Sequence, residues 1–175
     1  MSPAEAVKQL SAWWRVARTN RLFLWGLAGA AAIVLADQAS KYWVVHGLGL
    51  PQLGKIEISG IFDLTYVENR GASFGMLSGM RVILSLISAG VALVLAWWLG
   101  KITRPLAAAG IASIIGGAIG NLYDRIAYGY VVDFLDFSGL YFPWVFNIAD
   151  TAINVGIALL LYDAWRTGKS EKQPS

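Results

Sequence analysis

The sequence predicts an all-α membrane protein, with four transmembrane helices carrying a small extracytoplasmic β-sheet. Three observations predict it. The 175 residues are 57% hydrophobic and only 14% charged, where soluble domains average roughly 45–50% and roughly 25%. Residues 82–100 and 105–123 are two uncharged runs of 19, each long enough to cross a hydrocarbon core of about 30 Å at about 1.5 Å per residue. In residues 55–59 and again in 62–66, apolar and polar side chains alternate, the period-two pattern of a half-buried strand.

Taken in order, residues 1–21 form a basic tail with Lys8, Arg15, Arg18 and Arg21, suited to an amphipathic surface helix. The first span starts as the uncharged run 22–36 and reaches full length by continuing through Asp37 and Lys41 to about residue 45. Asp37 and Lys41 stand four apart and can pair on one helix face near a membrane surface. The basic lead and the missing small-x-small cleavage site favour a retained anchor over a signal peptide. An outer loop, 46–80, follows with strands expected at 55–59 and 62–66, punctuated by Gly54, Gly60 and Gly71. The spans 82–100 and 105–123 come next, then a second outer loop, 126–144, a fourth span over 145–165, and a tail from 166 to 175. One four-span domain, 22–165, therefore lies between two tails. Nine basic residues, among them Lys101, Arg104 and Arg166, fall on the side of the tails against five on the other, so both termini face the cytoplasm. Trp13, Trp14, Trp97, Trp98, Trp144 and Trp165 sit near span ends, as interfacial belts require.

Composition also excludes chemistries. Zero Cys removes disulfides, thiolate metal sites and a cysteine nucleophile, and one His, His46, removes a multi-histidine metal site. No metal and no cofactor is expected. The net charge of +3 comes from basic residues at the ends of apolar runs rather than from one stripe, which argues against a nucleic-acid partner. A Ser-His-Asp triad would depend wholly on His46, and nothing singles out Ser73 with Lys55.

Ionisable groups in or beside spans are costly and are functional candidates by default. They are Asp37, Asp124, Arg125, Asp133, Asp136, Asp150 and Asp163, and all but the last fall near the outer surface. Asp136 reads as a solvated loop residue. Asp150 enters the fourth span at a depth of about 7 Å if that span begins at residue 145. Asn147, Asp150, Thr151 and Asn154 recur at helical spacing, and Gly117, Asn121 and Arg125 make a second such line. Two polar stripes meeting at the outer end of a bundle describe a site. Two carboxylates brought close there would share a proton, so that one could take a proton from water while the other donates to a carbonyl or leaving amine. Spacing leaves open whether Asp124 or Asp133 partners Asp150. A proton-driven exporter using Asp150 or Asp37, or an assembly protein, is the rival reading, and cleavage of a lipid-modified precursor by purified protein separates them.

The strings DQASK (37–41), ENRGASFGM (68–76), GGAIGNLYDR (116–125), VVDF (131–134) and FNIADTAI (146–153) together resemble the lipoprotein (type II) signal peptidases of bacteria over about residues 22–165. The resemblance implies a multi-pass inner-membrane aspartyl endopeptidase that cuts diacylglyceryl-modified prolipoproteins before the lipidated cysteine. It implies a periplasmic active site beside membrane lipid, a β-sheet cradle and sensitivity to globomycin. It places the catalytic dyad at Asp133 and Asp150, substrate contacts at Asn69, Gly71, Asn121, Arg125 and Asn147, and supporting roles at Asp37, Lys41 and Asp124.

Overall fold

The computed structural model describes residues 2–71 and 78–170. Ser2 opens the first helix with a capping box: its hydroxyl accepts the Glu5 N–H while the Glu5 carboxylate accepts the Ser2 N–H. That cap and Pro3 at the first helical position start α1 (Pro3–Ala17). Asn20 then caps α2 (Arg21–Tyr42), which ends in a wider π turn over Trp43–Gly47. A short α3 (Leu50–Leu53) leads into the strands β1 (Lys55–Glu57) and β2 (Asp63–Asn69). The helices α4 (Ser78–Leu99) and α5 (Pro105–Ala127) form the middle of the chain. Beyond them lie β3 (Val131–Asp136), a single 3-10 turn (Ser138–Leu140), β4 (Val145–Phe146) and α6 (Ile148–Ser170).

Helices α2, α4, α5 and α6 are long and apolar enough to cross a membrane, and α5 is by far the most buried of the four. The reason lies in its small residues. Gly117 lies so close to the Ala149 carbonyl of α6 that a side chain there would strike backbone, and Gly120 lies against Ala149 and the Asp37 carboxylate. Close backbone approach of this kind replaces the hydrophobic drive that lipid does not supply. α4 instead leaves Val82, Ile83, Leu86, Leu93 and Val94 exposed. A stripe of that size is unsuited to water and suits acyl chains. At one end of the bundle, Phe23, Leu99, Ile102, Ile111 and Ile115 pack with Ala17 of α1.

The opposite end carries a four-stranded antiparallel sheet in the order β1-β2-β3-β4. Two of its strands, β1 and β2, occupy the alternating segment, although β1 stops at Glu57 and β2 runs on to Asn69. The register pairs Leu64 with Leu135 and Val67 with Asp133, so β2 carries a bulge opposite Phe134. Val132 and Phe134 pack with Val44, Leu50 and Leu64 above the π turn and α3. Alternation turns Asp133, 1% exposed, to the other face, toward the helices. β3 is thus covered on both faces.

Two expectations need correction. Residues 145–146 are a sheet strand, so the fourth span starts at Ile148 and Asp150 sits in its first turn, about 3 Å along the axis rather than about 7 Å. The chain needs β4 there to complete the sheet before it can turn inward. Asp136 is not solvated; it is 6% exposed, and its carboxylate accepts the Thr65 hydroxyl at 2.6 Å and stands 3.8 Å from Lys55 Nζ.

Candidate active site

Four elements converge on two carboxylates. α5 ends in a Tyr128–Gly129 cap, where Gly129 at φ 88° lets its N–H and that of Tyr128 close on the Asp124 carbonyl. The chain is thereby turned back into β3, which carries Asp133 over the bundle mouth. Asn147 stands just before α6, and its Oδ1 accepts the Asp150 N–H at 2.9 Å, the bond of an N-cap. Asp150 therefore lies where the helix dipole favours negative charge.

The two aspartates are joined by amides. Asn147 Nδ2 donates to Asp133 Oδ1 at 2.7 Å and to Asn121 Oδ1 at 3.2 Å. Asn121 Nδ2 donates to Asp150 Oδ1 at 2.7 Å. From β2, Asn69 Nδ2 donates to Asp133 Oδ2 at 2.9 Å, while Asn69 Oδ1 accepts the Gly71 N–H at 2.9 Å. Burial pushes the Asp133 carboxyl up to about 6, with the Asp150 charge acting in the same direction, against the Asn69 and Asn147 amides and Lys41, which favour the ionised form. Arg125 is half-buried, bonded through its guanidinium to the Asn121 carbonyl at 3.3 Å.

Beneath this pair lies a buried ionic cluster. Lys41 Nζ is 2.7 Å from Asp37 Oδ2 and 2.8 Å from Asp124 Oδ2. Gln38 Nε2 donates to both acids, at 3.1 and 2.8 Å. Each acid also holds one backbone amide: Asp37 Oδ1 accepts Ala149 N at 2.9 Å, and Asp124 Oδ2 accepts Val132 N at 3.1 Å. Those are the residues immediately before Asp150 and Asp133. Both oxygens of Asp124 are thus engaged within the cluster, which separates it from Asp133. Among the described residues no buried side-chain nitrogen or oxygen lacks a partner.

Asp150 opens onto a groove of about 800 Å³ walled by Phe137, Leu140, Phe142, Trp144 and Phe146. Asp150 thus stands at the edge of an apolar channel, with the buried Asp133 joined to it through Asn147 and Asn121. Asn69, Asn121, Asn147, Asp133 and Asp150, all singled out in the sequence, stand together; Gly71 adjoins them through Asn69, and Arg125 through Asn121. The ENRGASFGM string from 72 onward, including Ser73, lies outside the described residues. Sequence reasoning missed Gln38, although a Gln beside an Asp inside a span was a legible signal. It also missed the aromatic wall, announced by the Phe, Tyr and Trp density of residues 137–146.

Fold and site together define a multi-pass membrane protein whose polar centre lies at one end of the bundle, built from paired carboxylates. Residues 29–166 match the family model described as Signal peptidase (SPase) II. The lipoprotein signal peptidase of Caulobacter vibrioides is 53% identical over 140 residues, 78% of this chain and 83% of that protein. The lipoprotein signal peptidase of Rhodopseudomonas palustris (strain CGA009) is 47% identical over 147 residues, 79% and 89% of the two chains. A bacterial membrane enzyme solved by the in meso method at 2.3 Å superposes with a TM-score of 0.73 at 26% identity, covering 86% of this chain and 93% of that one. The chain belongs to the signal peptidase II family, a family of peptidases.

Proposed function

We propose that this protein is an aspartyl endopeptidase of the bacterial inner membrane. It removes signal peptides from diacylglyceryl-modified prolipoproteins by cutting before the lipidated cysteine. The observation that carries the reading is the Asp133–Asn147–Asn121–Asp150 chain of hydrogen bonds at the mouth of an aromatic groove. Paired acids supply hydrolysis without a covalent intermediate, and the groove suits a substrate whose lipid tails stay in hydrocarbon.

Asp150 takes a proton from a water between the carboxylates as its oxygen attacks the scissile carbonyl. Asp133, pushed up to about 6, gives its proton to the carbonyl oxygen. The tetrahedral intermediate collapses when the proton on Asp150 passes to the leaving amine, and the hydroxyl proton returns to Asp133, which restores the pair. Asn121 and Asn147 keep the two acids in register. Arg125 and the Asn69–Gly71 turn hold the substrate backbone, and a globomycin-type peptide occupies the same place as an inhibitor. Outward orientation of the sheet end sets the site at the periplasmic face, where such precursors present their cleavage point.

The decisive measurement is cleavage of a diacylglyceryl-modified precursor by purified protein in lipid. Release of the signal peptide from the modified precursor, with the unmodified one untouched, supports the reading; equal cleavage of both, or of neither, removes it.

A further inference from the structure

We infer that α1 is a clamp that seats on an anionic phospholipid surface, at the end of the bundle remote from the carboxylate pair. This goes beyond the peptidase reading and does not depend on it, since the family match begins at residue 29 and α1 precedes it. At about 100° per residue, Ala6, Trp13 and Ala17 fall on one line of α1, and these are its half-buried or buried residues. The neighbouring strip is apolar and outward: Val7, Leu10 and Trp14 are 66%, 55% and 54% exposed. Beyond it come Lys8, Ser11 and Arg15, with Arg18 at the cap. Glu5, the one acid of the helix, is engaged with the Ser2 amide.

What fixes the occupant of the apolar strip is the depth at which the helix is pinned. Trp13 stacks on Trp97 at 4.8 Å and donates its indole N–H to the Trp97 carbonyl at 3.0 Å. Gly100 leaves room for the Trp13 ring, which a side chain at that position would meet. Asn20 donates to the Gly100 and Ile102 carbonyls, locking the α1–α2 hinge to the α4–α5 connection. Trp97 and Trp165 at this end carry Lys101 and Lys169 over their rings, at 4.6 and 4.3 Å. Aromatic rings with lysines above them mark the boundary between acyl chains and headgroups. A helix stacked on that girdle has its apolar strip at the level of the acyl chains and its basic strip among the headgroups. Each such lysine or arginine favours an anionic surface by roughly fivefold.

The chain contains no cysteine, so single nitroxide labels can be placed at will. Full-length protein labelled through Leu10→Cys, Val7→Cys or Ser11→Cys is put in nanodiscs of phosphatidylcholine, with and without phosphatidylglycerol. Collision with oxygen is compared with collision with a water-soluble nickel chelate. With phosphatidylglycerol, labels at 7 and 10 should favour oxygen several-fold and the label at 11 should favour nickel. Without it, or in the Lys8→Gln/Arg15→Gln/Arg18→Gln background, the label at 7, on the turns farthest from the Trp13 anchor, should shift toward nickel and the label at 10 should move less, while near-ultraviolet dichroism shows the Trp13–Trp97 stack intact. Nickel-accessible labels at 7 and 10 in the anionic discs would overturn the inference. So would equal depth of the label at 7 in both lipids, and spin–spin broadening would give the strip to a second copy instead.

Discussion

Asparagine does more of the work around the carboxylates than charge does. Asn147 caps α6, holds Asp133 and reaches Asn121, so one side chain sets the helix start and the separation of the two acids. Replacing either acid by its amide keeps the shape and removes the proton carrier of the proposed mechanism. Asp133→Asn and Asp150→Asn are each expected to lower turnover of a lipid-modified precursor by about 10³-fold or more, since each acid–base group contributes about 10²–10⁴-fold. Folding and globomycin-type binding should survive in both, measured by thermal unfolding and by inhibitor titration. Asp124→Asn should act through stability; loss of turnover there in a fully folded protein, with Asp133→Asn near normal, would exchange their roles. The pH profile offers a second check. As the donor of the proposed mechanism, Asp133 must carry its proton, so kcat/KM should fall as pH rises through about 6. The Asn69 amide favours the ionised carboxylate, so Asn69→Leu should move that limb to higher pH whatever it does to the rate. A limb that stays put or moves down contradicts the assignment of Asp133 as donor. Zero Cys and one His leave the pair no evident set of metal ligands, so turnover should persist in strong chelators; loss restored by a divalent ion would refute the mechanism. At this scale the sequence was legible where a polar residue stood inside an apolar run, as Asp37, Asn121 and Asp150 do. It was silent on Asp136, because burial of a loop acid depends on Thr65 and Lys55 arriving from another strand.

Among the elements, α5 is the post to which the others are tied. Its small residues admit α6 on one side and α2 on another, and Lys41 of α2 neutralises Asp37 of its own helix and Asp124 of α5. Removing one partner of a buried ion pair costs about 3–5 kcal/mol because the remaining charge has no solvent. Lys41→Met leaves two buried carboxylates and is expected to lower the unfolding temperature sharply in detergent and to cost activity with it. Lys41→Met together with Asp124→Asn should recover part of the stability; equal stability of the single variant and the parent would show that the cluster holds nothing. Hydropathy made the four spans readable, and alternation made β1 and β2 readable. β3 was not, since a strand covered on both faces shows a continuous run, VVDFL, with no period to detect. β4 was hidden for a different reason: two residues flanking a helix cannot be told from its first turn without their hydrogen-bonding partners.

For the whole molecule, the split of the chain into a sheet end and a tail end fixes what topology must look like. Reporter fusions after residues 60 and 138 should report the extracytoplasmic side and fusions after 102 and 170 the cytoplasm, as the asymmetry of Lys and Arg dictates. An outward carboxyl terminus would break both the four-span count and the orientation of the site. The bond from Asp37 to the Ala149 amide also has a bearing on biogenesis. It spans 112 residues, from the first membrane helix to the start of the last, and Asp124 reaches the strand between them. During synthesis, Asp37 and Asp124 find Lys41 early, but the Ala149 amide and Asp150 beside it reach the cluster only when the fourth helix has entered the bilayer. A nascent or partly inserted chain therefore lacks Asp150 beside Asp133, and the proposed carboxylate pair comes together only with completion of the bundle.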